Sequence, residues 1–338
     1  MSAAADARLR DLLNGFQASE ALHAAARLGV PDALATGNTS LEALAGATRT
    51  SPGSLSRLMR VLVDLDVVTR NVEGRFSLTE VGQRLRPDVE GNWHAWAQMI
   101  GSPAIRKSWA HLTEAVRTGR TAFDMAHGSD IWAHRSRHPE DGELFDSAMR
   151  SATERLAVPL AQCLSSLEGL HVVDVGGGDG SLLAQVLLEH PSARGSLLEQ
   201  GPSARRAREL LDRHGLLHRA RVIEGDFFQA VPPQGHLYVL KFVLHDWDDE
   251  QAARILQSCR IAMRAAGDKA RLIVIERLLD APLGAREASL ADLNMLVNTG
   301  GRERTKQEYE RLLERAGFSL SKCEAASGCL TVMHAEPR

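Results

Sequence analysis

One histidine and two acids in this 338-residue chain have the residue types and settings of an acid–base site. His245 follows the apolar run LKFVL, Glu276 ends the run LIVIE, and Glu303 lies in GGRERT. Because an imidazole has a pKa of about 6.5, it can take the proton of a phenol as that oxygen reacts. A carboxylate on the other ring nitrogen would fix the tautomer and stabilise the imidazolium. His245 is therefore a candidate general base with Glu276 and Glu303 as candidate supports, and a structural histidine with surface acids is the alternative.

A glycine-rich turn is the second candidate site. The stretch HVVDVGGGDGS, residues 171–181, changes from a β-branched run to consecutive glycines, which predicts a strand, a turn and a helix. A dinucleotide fingerprint needs glycine at position 181, where this chain has Ser181. The spacing G-x-G-x-G after an acid is typical of S-adenosylmethionine sites, since glycine lets the backbone approach a ligand that has no phosphate. Asp174, Gly176 and Gly178 are the candidate cofactor residues, and a glycine turn without a ligand is the alternative.

Polar residues near the ends of later strands extend this second site. Glu199, 25 positions after Asp174, can accept both ribose hydroxyls of an adenosine, in NAD as well as in S-adenosylmethionine. Asp226 and Phe227 could bind the adenine amino group and cover the base, although a helix N-cap explains Asp226 equally well. Lys241, near the end of an apolar run, needs a partner such as a cofactor carboxylate or a backbone carbonyl. These residues indicate a nucleoside ligand without choosing between the two cofactors.

The elements that must position these residues follow an alternating pattern from Leu170 onward. Strand and helix patterns alternate, which predicts a Rossmann-like α/β fold with a parallel sheet and helices on both faces. Ligands of such sheets bind beyond the carboxyl ends of the strands, where the polar residues above would meet. Residues 318–324 and 330–334 would add an antiparallel pair. The parallel strands are predicted at residues 172–175, 195–198, 221–223, 237–242 and 271–275.

The N-terminal segment, residues 1–91, has the order of a winged-helix domain. Helical patterns in residues 6–28, 41–45 and 55–62 precede two short strand patterns around a turn at residues 71–74. Winged-helix domains often bind DNA, which requires a cationic face. Residues 1–90 contain ten Arg and no Lys against eleven Asp and Glu, so packing in a homodimer is favoured over binding of nucleic acid.

The middle segment, residues 92–168, is predicted to be helical and to line an acceptor pocket, ahead of a cofactor domain at residues 169–338. Helical core explains most of its large side chains. Phe145 and Met149 are four residues apart on one helix face, as residues that line a flat apolar substrate would be. His134 and His138 are also four apart, but no third ligand accompanies them, so we expect no metal site.

Composition argues against several function classes. The net charge of −3 gives no sign of a nucleic-acid or membrane surface, and the 44% hydrophobic content is that of a globular protein. The four cysteines show no C-x-x-C pairing, so neither a zinc site nor a disulfide framework is indicated. No apolar run approaches the roughly 18 residues of a membrane span, and the first residues lack the core of a signal peptide. We therefore expect a cytoplasmic protein with reduced thiols.

Several motifs together resemble those of one known family. DVGGGDG, LEQ, GDFF, LKFVLHDWDDE, IVIE and NTGGRERT occur in the order and spacing of the class I small-molecule O-methyltransferases that depend on S-adenosylmethionine. That family includes the caffeic acid and hydroxyindole enzymes and bacterial enzymes that tailor aromatic natural products. The resemblance covers nearly the whole chain, including the N-terminal part, which in the family forms an intertwined dimer.

The resemblance implies a role for each matched position. It implies that His245 is the base and that Glu276 and Glu303 flank it. It assigns the cofactor to Gly176, Glu199, Asp226, Phe227 and Lys241, and the acceptor pocket to Phe145, Met149 and Asn298. Two departures conserve charge: Arg302 stands where Lys is common, and Glu199 where many relatives have Asp.

The sequence thus predicts a homodimeric S-adenosylmethionine-dependent enzyme that methylates a hydroxyl of an aromatic small molecule, in secondary metabolism. Enzymes of this fold that methylate carbon or nitrogen, or that have become hydroxylases or decarboxylases, are alternatives. A NAD-dependent oxidoreductase is disfavoured by Ser181, and a DNA-binding regulator by the acidic balance of the N-terminal segment. Neither the acceptor nor the position methylated follows from these patterns.

Overall fold

The chain forms two compact units. A computed structural model describes residues 2–156, 160, 164, 169–265 and 270–338. The first unit consists of Met1–Arg106 with Ser147–Arg155, and the second of Lys107–Asp146 with Leu156–Arg338. The three-part division at residues 91 and 168 stays a prediction. Cys163 lies outside the described residues, among which Cys259, Cys323 and Cys329 are unpaired.

The first unit has the predicted order of helices followed by a two-stranded wing. Its strands pair antiparallel, with Val68 opposite Leu78. An additional short helix follows Gly29, whose φ of 70° turns the chain, because Pro31 fits the first turn of a new helix. The elements are α1 Ala3–Arg27, α2 Val30–Ala35, α3 Leu41–Thr48, α4 Pro52–Asp64, β1 Val68–Arg70, β2 Phe76–Leu78, α5 Glu80–Gln83 and α6 His94–Ile100.

The second unit carries the large sheet and most of the remaining helices. Two helices, α7 Pro103–Trp109 and α11 Pro139–Arg155, contribute residues to both units. Its other helices are α8 Leu112–Thr118, α9 Ala122–His127, α10 Ile131–Arg137, α12 Ser181–Glu189, α13 Gly201–Arg213, α14 Asp249–Arg264, α15 Ala285–Asn298 and α16 Lys306–Arg315. Its strands are β3 His171–Val175, β4 Arg194–Glu199, β5 Ala220–Glu224, β6 Leu237–Lys241, β7 Arg271–Arg277, β8 Phe318–Ser327 and β9 Leu330–Pro337.

The described strands of the second unit form a seven-stranded sheet in the order β5-β4-β3-β6-β7-β9-β8. The first five are parallel, and β9 and β8 add the predicted antiparallel pair. Val175 pairs with Leu198, and Lys241 with Ile275, so the carboxyl ends of neighbouring strands are level. The segments that follow these strands therefore meet at one edge, the position at which α/β sheets bind ligands.

Both faces of the sheet are covered, which is why its central strands read as nearly continuous apolar runs. In β6 the residues Leu237 to Leu240 are all buried. The predicted strand ends one residue earlier than expected, because Phe242 has a left-handed backbone with φ of 55°. No helix within the described part of the chain combines the length and apolar character that crossing a membrane requires.

Candidate active site

The structure brings the histidine and the two acids together. His245 lies in a 3-10 turn, Leu244–Asp246, just beyond β6. Its Nδ1 is 3.0 Å from Oε1 of Glu303 and 3.3 Å from Oε2 of Glu276. His245 is only 6% exposed and both acids are fully buried, so water does not screen these contacts. Asp248 caps the next helix, because its Oδ1 accepts the Gln251 amide at 2.8 Å.

Glu276 also holds the backbone of the turn that carries His245. Its Oε1 accepts the amides of Val243 at 3.0 Å, Leu244 at 2.8 Å and His245 at 3.3 Å. A carboxylate on successive amides makes charge-assisted hydrogen bonds, which are about twice as strong as neutral ones. One oxygen of Glu276 therefore fixes the turn, while the other faces the imidazole.

These acids make the imidazole a stronger base than a solvent-exposed one. Burial alone lowers the pKa of His245, but the charges of Glu276 and Glu303 outweigh it and raise the pKa to about 10. Burial raises the pKa of Glu276 to about 7, although His245 opposes the shift. Burial also disfavours the ionised form of Glu303, yet His245 and Arg277 together lower its pKa. With Nδ1 engaged by carboxylates, Nε2 is the nitrogen left to exchange a proton.

A residue that the sequence analysis missed stacks on the imidazole. The ring of Phe242 is parallel to that of His245, with centroids 5.5 Å apart and planes 7° apart. The side chains of Lys241 and Arg277 flank the Phe242 ring, at 4.8 Å and 4.6 Å from its centroid. A left-handed φ on a bulky residue costs on the order of 1–3 kcal/mol and is found mostly at functional sites. Sequence gives no signal for it, because Phe242 continues an apolar strand pattern.

Asp246 is a second group that the sequence analysis did not assign to the site. Its Oδ1 lies 3.8 Å from Nε2 of His245. Burial raises the pKa of Asp246 to about 6, while His245 and Arg135 oppose the shift. The acid therefore lies on the side of the imidazole that exchanges the proton.

The glycine turn joins two of the predicted cofactor residues. The Gly178 amide donates to Oε2 of Glu199 at 2.9 Å, and the Gln200 amide donates to Oε1 at 2.8 Å. Gly178 has φ of 59°, and a Cβ built on it would meet nothing within 4 Å. Burial raises the pKa of Glu199 to about 7. The turn therefore leaves open space beside a partly buried acid.

Asp174 and Lys241 lie at the ends of neighbouring strands. Asp174 is 2% exposed, and its Oδ2 has no hydrogen-bond partner among the described residues. Burial raises the pKa of Asp174 to about 7, with Lys241 opposing the shift. Burial correspondingly lowers the pKa of Lys241, and Asp174 opposes that change. A buried carboxylate oxygen without a partner is costly, so this place suits a ligand that donates hydrogen bonds.

Asp226 and Phe227 follow β5 as predicted. Oδ1 of Asp226 accepts the amide of Phe228 at 2.8 Å, which is a local turn contact. No helix begins after Asp226 in the described residues 220–241, so the N-cap alternative is wrong. The Phe227 ring lies within 3.5 Å of the Cβ position of Gly176 and 6.0 Å from the Trp247 ring. An aromatic wall thus borders the glycine turn.

This set of residues fits S-adenosylmethionine. Its ribose hydroxyls and amino groups donate hydrogen bonds, and the acceptors are Asp174, which is buried, and Glu199, which is partly buried. Its positive charge is favoured next to ionised carboxylates. The open space at Gly178 and the Phe227 ring suit a nucleoside. NAD would place phosphates against these same acids.

The predicted acceptor residues fall in both units. In the second unit, the Phe145 ring packs edge-on against Trp132 at 6.1 Å, and the Arg135 guanidinium lies 3.5 Å from its centroid. Trp132 also stacks with Trp247 at 6.4 Å. Met149 belongs to the first unit.

Asn298, the third predicted acceptor residue, is buried at the end of α15. Its Nδ2 donates to Oδ1 of Asn294 at 2.7 Å, whereas its own Oδ1 has no hydrogen-bond partner among the described residues. That amide can therefore bind one further donor.

Comparisons with known proteins show the family of this chain. Residues 109–319 match the O-methyltransferase domain family, and residues 10–88 match the O-methyltransferase dimerisation domain family. O-demethylpuromycin-O-methyltransferase of Streptomyces alboniger is 40% identical over 334 residues, which cover 96% of this chain and 86% of that protein.

Solved structures extend the likeness to the fold. The mitomycin 7-O-methyltransferase MmcR has a TM-score of 0.91 at 36% identity, covering 99% of this chain and 98% of that one. The O-methyltransferase NcsB1 of neocarzinostatin biosynthesis, solved with S-adenosylmethionine and 2-hydroxy-5-methyl naphthoic acid, has a TM-score of 0.80 at 32% identity, covering 95% and 96%. The chain therefore belongs to the S-adenosylmethionine-dependent O-methyltransferase family.

Proposed function

We propose that this enzyme methylates a hydroxyl of an aromatic small molecule, as its relatives that tailor natural products do, and that His245 is the general base. The observation that carries the proposal is the position of the His245 Nδ1 between two buried carboxylates, at 3.0 and 3.3 Å. That arrangement leaves Nε2 to take the proton of the acceptor hydroxyl.

The protein's part in the reaction is to orient the reactants and remove one proton. S-adenosylmethionine supplies a methyl group on a positively charged sulfur. His245 accepts the hydroxyl proton at Nε2, and the resulting imidazolium is stabilised by Glu303 and Glu276. The pKa of His245 falls when a cation binds nearby, which leaves more of the unprotonated imidazole near neutral pH. Proton removal of this kind contributes about 10²- to 10⁴-fold to a rate.

The cofactor-binding residues are part of the same proposal. Glu199 would accept the ribose hydroxyls, and Asp226 and Phe227 would bind and cover the adenine. The other proposed cofactor residues are Asp174, Gly176, Gly178 and Lys241. The buried Asp174 Oδ2, which lacks a partner among the described residues, supports a donor group of the ligand at that place.

For the acceptor we propose a flat aromatic molecule bound in the second unit by Phe145 and Asn298, whereas Met149 stays a prediction from the sequence. The ring cluster of Phe145, Trp132 and Trp247 supports an aromatic ligand. The buried Oδ1 of Asn298 supports a hydroxyl or amino donor on it. NcsB1, solved with a hydroxynaphthoic acid, shows the class of molecule that one relative binds.

The test separates cofactor binding from proton removal. His245→Ala is expected to bind S-adenosylhomocysteine as the wild type does by calorimetry, and to lose at least about 10²-fold in turnover. Turnover is measured with methyl-labelled cofactor and a panel of phenols that includes catechol, 2-naphthol and 3-hydroxybenzoate. His214→Ala, at an exposed position, is the matched control. Unchanged turnover by His245→Ala, or labelled product methylated on nitrogen or carbon only, would refute the proposal.

We further propose a cytoplasmic homodimer formed through the N-terminal unit. The dimerisation family match covers residues 10–88. Helix α1 exposes a row of apolar side chains at its start: Leu9 57%, Leu12 50%, Leu13 66% and Phe16 59%. An apolar row of this kind on a helix usually marks a protein interface.

A further inference from the structure

The segment Gly301–Arg304, called here the clasp, runs alongside the turn that carries His245. The Arg302 amide donates to the His245 carbonyl at 2.8 Å. The next residue, Glu303, contacts the His245 ring. The clasp therefore touches both the backbone and the side chain of the proposed base.

The closeness of the two segments depends on Gly301. A Cβ at this position would lie 2.1 Å from the His245 carbonyl oxygen and 2.3 Å from the Asp246 carbonyl carbon. Both are backbone atoms of the turn, so no side chain could move aside. The glycine is thus required for the approach that brings Glu303 within hydrogen-bond distance of His245.

The last residue of the clasp, Arg304, binds the carbonyls of the first residue of the turn and of the residue that follows the turn. Its Nη1 donates to the Leu244 carbonyl at 2.9 Å, and its Nη2 donates to the Trp247 carbonyl at 2.8 Å. Its Nε donates to Oδ1 of Asp249 at 2.8 Å, at the start of α14. Arg304 is fully buried, and a guanidinium offers these donors in one rigid plane.

Arg304 and Glu276 hold the turn by opposite groups. The carboxylate of Glu276 accepts a hydrogen bond from the Leu244 amide. The guanidinium of Arg304 donates a hydrogen bond to the Leu244 carbonyl. Neither end of the turn can shift without breaking a charge-assisted hydrogen bond in a buried site. The imidazole between them is thereby kept at a fixed distance from Glu303.

We propose that Arg304 is a positioning residue for methyl transfer, which fixes the turn so that the His245 imidazole stays on Glu303 and its Nε2 faces the acceptor. The proposal rests on the proposed role of His245 as base. Arg304 touches neither reacting group and acts through the backbone of the turn. A displacement of about 1 Å at a catalytic group can cost about 10²-fold in rate. Loss of the two hydrogen bonds from the guanidinium to the backbone carbonyls should therefore lower turnover measurably.

The experiment compares two variants with a matched control. Arg304→Lys keeps the charge but cannot donate to both carbonyls from one rigid plane. Asp249→Asn removes the negative charge next to Nε while keeping an oxygen that can accept its hydrogen bond, and the Asp249 side chain is 55% exposed. Arg117→Lys makes the same exchange in an exposed ion pair with Glu114. For each full-length protein we would measure turnover on the best phenol of the panel, affinity for S-adenosylhomocysteine, and the titration of His245 by NMR with labelled histidine.

The expected pattern is specific to positioning. Arg304→Lys should lose about 10- to 100-fold in kcat while its affinity for S-adenosylhomocysteine stays within about twofold. Its His245 should titrate at a lower pH than in the wild type, because the contact with Glu303 lengthens. Asp249→Asn should lower kcat by about twofold to fivefold. It should also move the titration of His245 to lower pH, by less than Arg304→Lys does. Arg117→Lys should match the wild type.

The proposal is overturned if Arg304→Lys changes only the melting temperature and leaves both kcat and the His245 titration as in the wild type. It is also overturned if cofactor affinity falls as much as kcat, since the whole site would then be disturbed. If Arg304→Lys fails to fold, Asp249→Asn decides by the same two measurements. If His245 is not the base, His245→Ala will keep full turnover, and this result is distinct from those of the Arg304 variants. The NMR titration reports whether Arg304 positions the ring, whether or not His245 is the base.

Discussion

Replacement of Glu303 by glutamine tests how the buried acids tune the base. Glu303→Gln keeps the size of the side chain and removes its charge, 3.0 Å from the His245 Nδ1. Loss of a hydrogen bond to a charged group costs about 1.5–3 kcal/mol. At about 1.36 kcal/mol per pKa unit, the pKa of His245, which the acids raise to about 10, should fall by about one to two units.

The sign of this change determines what the assay must record. The carboxylate favours the imidazolium, so its removal makes His245 lose its proton at lower pH. The rising limb of kcat/KM against pH should therefore move down by about one to two units. The plateau above that limb should fall about 10- to 100-fold, because the imidazolium formed during the reaction is less stabilised. At neutral pH the two effects oppose each other, so a single rate is not informative and the full profile is needed.

A second histidine–glutamate pair provides the control. Oε2 of Glu324 lies 2.9 Å from Nε2 of His334, away from the site and partly exposed. Glu324→Gln should leave the profile unchanged. If Glu303→Gln leaves both the limb and the plateau where they are in the wild type, Glu303 does not set the basicity of His245, and the assignment of its role is wrong.

Three further outcomes are expected. Phe242→Leu removes the ring stacked on His245 and should lower kcat about tenfold with unchanged affinity for S-adenosylhomocysteine by calorimetry; an equal loss of affinity would contradict a role confined to the imidazole. The double change Leu13→Glu and Phe16→Glu places charges in the exposed apolar row of α1 and should yield monomers by light scattering, whereas persistent dimers would locate the interface elsewhere. Treatment with EDTA should leave turnover unchanged, because no step assigned to the protein needs a metal. Loss of activity with EDTA and its recovery with zinc would instead indicate metal binding by His245, Glu276 and Glu303, whose ligand atoms lie within 4.8 Å of one another.

The fold followed from local patterns in the sequence. The β-branched run before three glycines predicts a strand and a turn at residues 171–181, and the structure has β3 and α12 there. The alternation after Leu170 predicts the parallel strands, and their carboxyl ends necessarily share one edge. His245, Glu276 and Glu199 could therefore be nominated as site residues, because each follows or ends a strand whose pattern is strong.

Other parts of the site depended on packing between distant segments. Glu303 is 58 positions from His245, and only the close approach permitted by Gly301 brings them together. The sequence does not reveal the strained backbone of Phe242, because the residue looks like the continuation of a strand. It does not reveal the burial of Arg304 either, because an arginine in this pattern looks like a surface residue. Asp226 shows the limit of local patterns as well, since a helix N-cap was considered and the structure has a turn without a helix.

What the sequence by itself determined is the order of strands, turns and helices and the residues at one edge of the sheet, because hydrophobic periodicity and glycine placement act over a few neighbouring residues. What only the tertiary structure decided is which of those groups touch, which oxygen of Glu276 holds the turn, and how far the pKa of His245 rises. Those quantities depend on distance and on the exclusion of water, and both are fixed only when segments far apart in the chain pack together.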